Sequence, residues 1–119
     1  MEDESADLTA RNEVVSSIID ALVQGDFEGV IAAAPSSRIG ARDMKLAVAN
    51  YGRTLVRPPL GWLEEIDYVR IQAAEPVAWS VVAPLFTAQE GESDLSLELT
   101  LVASSEGRYE ARIDDIHVL

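Results

Sequence analysis

The chain has 119 residues, 48% of them hydrophobic, and 21 acidic against 9 basic side chains give a formal net charge of −12. That length suits one buried core and is too short for two, and with no cysteine there are no disulfides, thiolate nucleophiles or cysteine-based zinc sites. The acid excess, −5 over residues 1–52 and −7 over residues 53–119, argues against a phosphate backbone or an anionic membrane as partner, because both require cationic patches.

Residues 1–7 lack apolar content and read as a flexible acidic tail ahead of a single domain over 8–119. The acidic opening M-E-D-E-S-A-D is unlike a secretory signal, and no apolar run approaches a membrane span, so a cytoplasmic location is expected. Val14, Val15, Ile18, Ile19, Leu22 and Val23 fall on one helical face, with Thr9 as a candidate N-cap and Gly25 as the stop. Asp26 can cap a short second helix through Phe27, Val30 and Ile31, ending at Pro35 and the Ser36–Ser37 pair. Met44, Ala47, Val48 and Tyr51 share the face of a third, with Asp43 in its first turn and Gly52 closing it.

The Pro58–Pro59 pair and its neighbouring glycines then break the chain into a loop with an extended start. Arg53 and Arg57 flank that loop and could bind an anion, although surface solvation and pairing with Glu64 or Glu65 are preferred. Beyond it the apolar period changes to two. Ile66 to Ala73 forms a first strand, and Val77, Trp79, Val81, Ala83 and Leu85 line one face of a second. D-L-S-L-E-L-T-L sets Leu95, Leu97, Leu99 and Leu101 against Ser96, Glu98 and Thr100, the pattern of a half-buried antiparallel strand.

In the final stretch, Tyr109, Ala111 and Ile113 alternate, but Ile116 and Val118 are one position out of phase. One extra residue near Asp114–Asp115 would restore a common face, so a β-bulge is expected there, with both carboxylates open to water and His117 on the solvent side. The same octapeptide, R-I-D-D-I-H-V-L, also admits an acid/base reading through Asp115 and His117. The bulge is preferred because no second base, nucleophile or ligand is fixed by spacing. The expected fold is α+β, with N-terminal helices on a curved four-stranded antiparallel sheet, cystatin-like or NTF2-like.

No nucleotide-binding, metalloprotease or nucleophile-elbow signature occurs, so no catalytic residue and no cofactor is expected. The single histidine excludes a two-histidine metal centre, and E-G-E-S-D lacks the spacing of a calcium loop, so no metal is expected either. An NTF2-like cone often holds a pocket, which Tyr51, Trp62, Tyr68 and Trp79 could line with His117 at its edge; core or rim packing is the preferred account of the aromatics, because nothing singles out their number or spacing.

The runs Y-G-R-T-L-V-R-P-P, A-W-S-V-V-A-P-L-F-T, E-G-E-S-D-L-S-L-E-L-T-L and A-R-I-D-D-I-H-V-L resemble a family of small, acidic, uncharacterised bacterial domains over about residues 41–119. The resemblance carries over no catalytic residue. In size and acidity the chain is also similar, as a class, to immunity proteins that neutralise polymorphic bacterial toxins. The leading expectation is therefore a non-catalytic domain that binds a basic protein partner through Glu90, Glu92, Asp94, Glu98, Asp114 and Asp115, with no nucleic-acid or membrane partner. The alternatives are an NTF2-like pocket protein that binds or isomerises a small apolar molecule, and a homodimer packed through the sheet.

Overall fold

The computed structural model describes residues 4–118. Three helices, α1 (Glu4–Val23), α2 (Phe27–Ala33) and α3 (Ala41–Tyr51), precede five strands, β1 (Leu55–Val56), β2 (Tyr68–Arg70), β3 (Ala78–Thr87), β4 (Gly91–Ala103) and β5 (Tyr109–Val118). The strands form one antiparallel sheet in the order β1-β3-β4-β5, with β2 pairing along the same edge of β3 as β1. The α+β plan is as expected, but the sheet has five strands instead of four. The additional one is Leu55–Val56, which pairs with Thr87 and Phe86. Strand pairing within 66–73 is confined to Tyr68–Arg70, between the 3₁₀ helix Trp62–Glu65 and a turn in which Ala73 adopts φ 59°.

The helices follow their apolar periods. Val15, Ile18, Ile19 and Leu22 of α1 are buried against the sheet. Asp26 caps α2 by accepting from the Gly29 N–H at 3.0 Å, and Gly52 ends α3 at φ 73°, a left-handed conformation that glycine adopts without steric cost. Thr9 is no cap, because α1 already runs from Glu4 and Thr9 lies inside it. Residues 4–7, expected as part of a tail, are helical, and residues 1–3 lie outside the described residues.

The core lies between this helical layer and one face of the sheet. Leu97, Leu99 and Leu101 are fully buried there with Ile113 of β5, Val81, Ala83 and Leu85 of β3, and Val30 and Met44 from the helices. Each of these side chains other than Ala83 contributes about 1.5–3 kcal/mol relative to exposure. Period-two alternation sends the next residues to the other face, where Ser80 and Val82 are exposed and Glu98, Asp115 and His117 half-buried.

Two register shifts bend the sheet. Leu99 pairs with Ile113, but Glu98 pairs with Asp115, so Asp114 is the extra residue of a bulge in β5. Ala111, Ile113 and Ile116 consequently all face the core. Val118 does not share that burial: at the end of the strand it is 56% exposed. The second shift falls between Pro84 and Phe86, where β4 carries the longer path. There the Ser93 hydroxyl donates to the Leu85 carbonyl at 2.7 Å and accepts from the Leu95 N–H at 3.2 Å, satisfying backbone groups that the ladder leaves behind.

Candidate functional site

The bulge decides what meets on the outer face of β4 and β5. A straight hairpin through Ala103 and Tyr109 would place Asp114 opposite Glu98; the extra residue replaces it with Asp115 and brings His117 opposite Ser96. Glu98, Asp115 and His117 therefore share one face. His117 Nε2 lies 2.8 Å from Glu98 Oε2, and Nδ1 lies 3.5 Å from Asp115 Oδ2. The Glu98 oxygen lies off the direction in which the ring would donate, so Nε2, shielded from water, has a close anionic neighbour but no hydrogen bond. The other oxygen of Asp115 accepts from the Ile116 N–H at 2.9 Å, which helps to fix that carboxylate.

Asp114 has a different duty. It accepts from the Thr100 hydroxyl at 2.6 Å and from Arg112 Nε at 3.2 Å, and Arg38 Nε approaches to 3.4 Å. Arg38 belongs to the α2–α3 loop, which also closes the edge of β5 through its backbone. The Arg38 N–H donates to the Ile113 carbonyl at 2.8 Å, and the Ile113 N–H donates to the Ser37 hydroxyl at 2.8 Å. The bulge is thus where the helical layer is pinned to an otherwise open strand edge.

The six acidic residues singled out in the sequence do not form one patch of free charge. Glu90 receives the Tyr51 hydroxyl at 2.9 Å, bonds Thr87 and faces Arg53 at 3.9 Å, tying the end of α3 to the β3–β4 turn. Glu98 and Asp115 surround His117, and Asp114 is engaged as described. Glu92 and Asp94 are exposed, and among the described residues neither has an ion pair or side-chain hydrogen bond. Arg57 pairs with Asp20 at 3.1 Å rather than with Glu64 or Glu65.

The candidate pocket residues are dispersed as well. Trp62 packs edge-on to Phe86, with ring centroids 5.7 Å apart and planes at 86°. Tyr51 lies with Glu90, and His117 is on the opposite sheet face from Tyr68 and Trp79. The latter two belong to a cluster that the sequence reading missed, centred on Arg11 of α1. The guanidinium of this buried arginine lies 4.2 Å from the Trp79 ring, 4.8 Å from Tyr68 and 5.9 Å from Tyr109. Asp7, one turn earlier, pairs with Arg11 and accepts the Tyr109 hydroxyl at 2.6 Å, while the Tyr68 hydroxyl donates to Asn12. Burial pushes the Tyr68 hydroxyl up to about 12 despite the opposing field of Arg11. Tyr109 is also raised, first by burial and then by its bond to Asp7.

A family model described as Domain of unknown function (DUF7668) matches residues 19–119. The chain belongs to this family. The match spans α2, α3 and the whole sheet, and it includes Glu98, Asp114, Asp115 and His117, whereas Arg11 and Asp7 precede it. No curated protein and no solved structure matches the chain.

The site's chemistry follows from these contacts. Both ring nitrogens of His117 face carboxylates, leaving neither to activate the Ser96 hydroxyl across the ladder. The Arg11 cluster joins α1 to the sheet through cation–π contacts and the Asp7 and Asn12 hydrogen bonds, while Arg11 Nε and Trp79 Nε1 are enclosed without a hydrogen-bond partner.

Proposed function

We propose that this member of the family is a non-catalytic protein-binding domain whose acidic surface engages a basic partner, in its most concrete form an immunity-type inhibitor of a basic bacterial toxin. One observation carries the reading. Of the nine basic residues, Arg11, Arg38, Arg53, Arg57 and Arg112 pair with internal carboxylates, so the net charge of −12, in which all nine bases are already counted, resides on acids that have no basic partner. The exposed Glu92 and Asp94 at the start of β4 have no internal role and are the residues most available to a partner. Such a field speeds encounter and selects against wrong partners more than it sets affinity.

The bulged sheet under a helical layer supports reading the fold as cystatin-like or NTF2-like in plan, a likeness that brings no function with it. A cytoplasmic setting suits an inhibitor of this kind, and among the described residues no helix is long and apolar enough to cross a membrane. The test is to co-purify the partner from the source cells, identify it, and follow association of the two pure proteins by stopped flow. Association should slow steeply as salt rises, and Glu92→Lys with Asp94→Lys should slow it further. A neutral or acidic partner, or rates indifferent to salt, would remove the proposal.

A further inference from the structure

We propose that the free edge of β2 is a strand-addition site, at which an extended segment of the basic partner pairs with Tyr68–Arg70 as a further antiparallel strand of the sheet. The ladder decides which backbone groups are free. The Ile71 N–H donates to the Ala78 carbonyl at 2.9 Å. Antiparallel pairs alternate between bonded and unbonded, so Val69 exchanges bonds with Ser80, while Tyr68 and Arg70 turn their N–H and C=O groups away from β3. Among the described residues these four groups have no partner. At the opposite edge of the sheet, by contrast, Ser37 and Arg38 close β5 at Ile113.

Two further observations describe the occupant. Beside the edge, Val69 is 63% exposed and Ile71 37%, and Val82, two residues past the Ser80 partner of Val69, is 42% exposed, so an added strand would cover apolar side chains that the sheet leaves to water. The flanking charge is acidic: Glu64, Glu65 and Asp67 lead into β2, all exposed and without an ion pair among the described residues. A second copy of the chain would bring the same three acids and a net charge of −12 to this edge, so charge selects a basic segment instead. That segment is apolar beside Val69 and Ile71 and cationic beside Asp67 and Glu65. The inference rests on the partner-binding reading for the source of the segment and goes beyond it by naming the contact. The acids of β4 act on encounter, and the β2 edge holds the bound chain.

The test is NMR titration of the full isotope-labelled chain with the capped peptide V-T-V-T-K-T-K, whose antiparallel register sets its valines against Ile71 and Val69 and its lysines against Asp67 and Glu65. Saturable shifts should be confined to residues 64–71 and the adjoining part of β3, and the Tyr68 and Arg70 amides should exchange more slowly with solvent. The acidic peptide V-T-V-T-E-T-E should bind about tenfold more weakly. Methylating the nitrogens of the first two threonines, which removes the donors facing the edge, should abolish binding. Arg70→Pro deletes an edge N–H that β3 does not use and should abolish binding too, while circular dichroism shows the sheet intact. Should that variant not fold, Val69→Lys decides, with a loss of about tenfold or more. No saturable shift in the wild type, shifts elsewhere on the molecule, equal binding of the acidic or methylated peptide, or a dimer formed through this edge in sedimentation would overturn the proposal. None of these outcomes touches the partner-binding reading, which stands or falls on the salt dependence of association.

Discussion

The two faces of the sheet treat charge in opposite ways. On the helix side, Arg11 is buried among Trp79, Tyr68 and Tyr109 with Asp7 as its counter-ion, and its Nε and the Trp79 Nε1 are enclosed without a hydrogen-bond partner, held by the rings around them. On the outer side, Glu98, Asp115 and His117 meet half-exposed, with two acids around one imidazole and a ring nitrogen that makes no hydrogen bond. A buried charge is tolerated only when paired, so Arg11 must keep Asp7 within the fold, whereas water relaxes that demand on the outer cluster. The contrast separates a buried anchor from a half-exposed cluster.

Breaking the anchor should have the largest effect. Arg11→Ala removes a buried charge, its aromatic contacts and the packing of its stem, and should cost about 3 kcal/mol in urea unfolding. Arg11→Met, which refills the volume, should recover part of that loss; if the two variants are equally unstable, the charge rather than the packing holds α1.

Alkali probes the same cluster without mutation. Tyr68 keeps its proton to about 12 in the fold but releases it near 10.0 when unfolded. Its contribution is therefore fully present below pH 10 and is lost as pH rises toward 12, with a total of roughly 2 kcal/mol. Tyr68→Phe should flatten that decline, measured as unfolding midpoints between pH 9 and 12.

Smaller effects belong to the outer face. Asp114→Ala should cost about 1–2 kcal/mol, because it frees the Thr100 hydroxyl and loosens Arg38 and Arg112 at the bulge. Hydrogen exchange at the Ile113 amide would report the opening of that edge. His117→Ala should change stability by less than about 1 kcal/mol, as half-exposed ion pairs contribute little. A larger loss would make the outer cluster a second anchor and erase the distinction.

Much of this arrangement was legible in the residues. The leucine alternation of β4 and the phase slip between Ile113 and Ile116 specify a bulge without any knowledge of neighbours, because core burial leaves one way to orient the strand. Glu98 could be assigned to the outer face for the same reason, but its meeting with His117 depends on counting through the bulge, which needs the residue that is extruded. The Arg11 cluster was not legible. Its members come from α1, β2, β3 and β5, and a lone arginine on an otherwise apolar helix face carries no sign that three rings will surround it. Its nearest local hint was Asp7, at the i,i+4 spacing of an ion pair, within residues whose composition suggested a tail. Short strands were equally opaque: two residues, Leu55 and Val56, are too few to show a period.

The account rests most heavily on the claim that the exposed acids serve a partner while the buried charge serves the fold. Association rates with the purified basic partner, measured across ionic strength, test it directly for the wild type, for Glu92→Gln with Asp94→Asn, and for Glu13→Gln with Glu28→Gln on the helical layer. The account predicts a steep salt dependence in the wild type, a slower and shallower one in the β4 pair, and wild-type behaviour in the helix pair. Three superimposable curves, or a deficit confined to the helix pair, would contradict it.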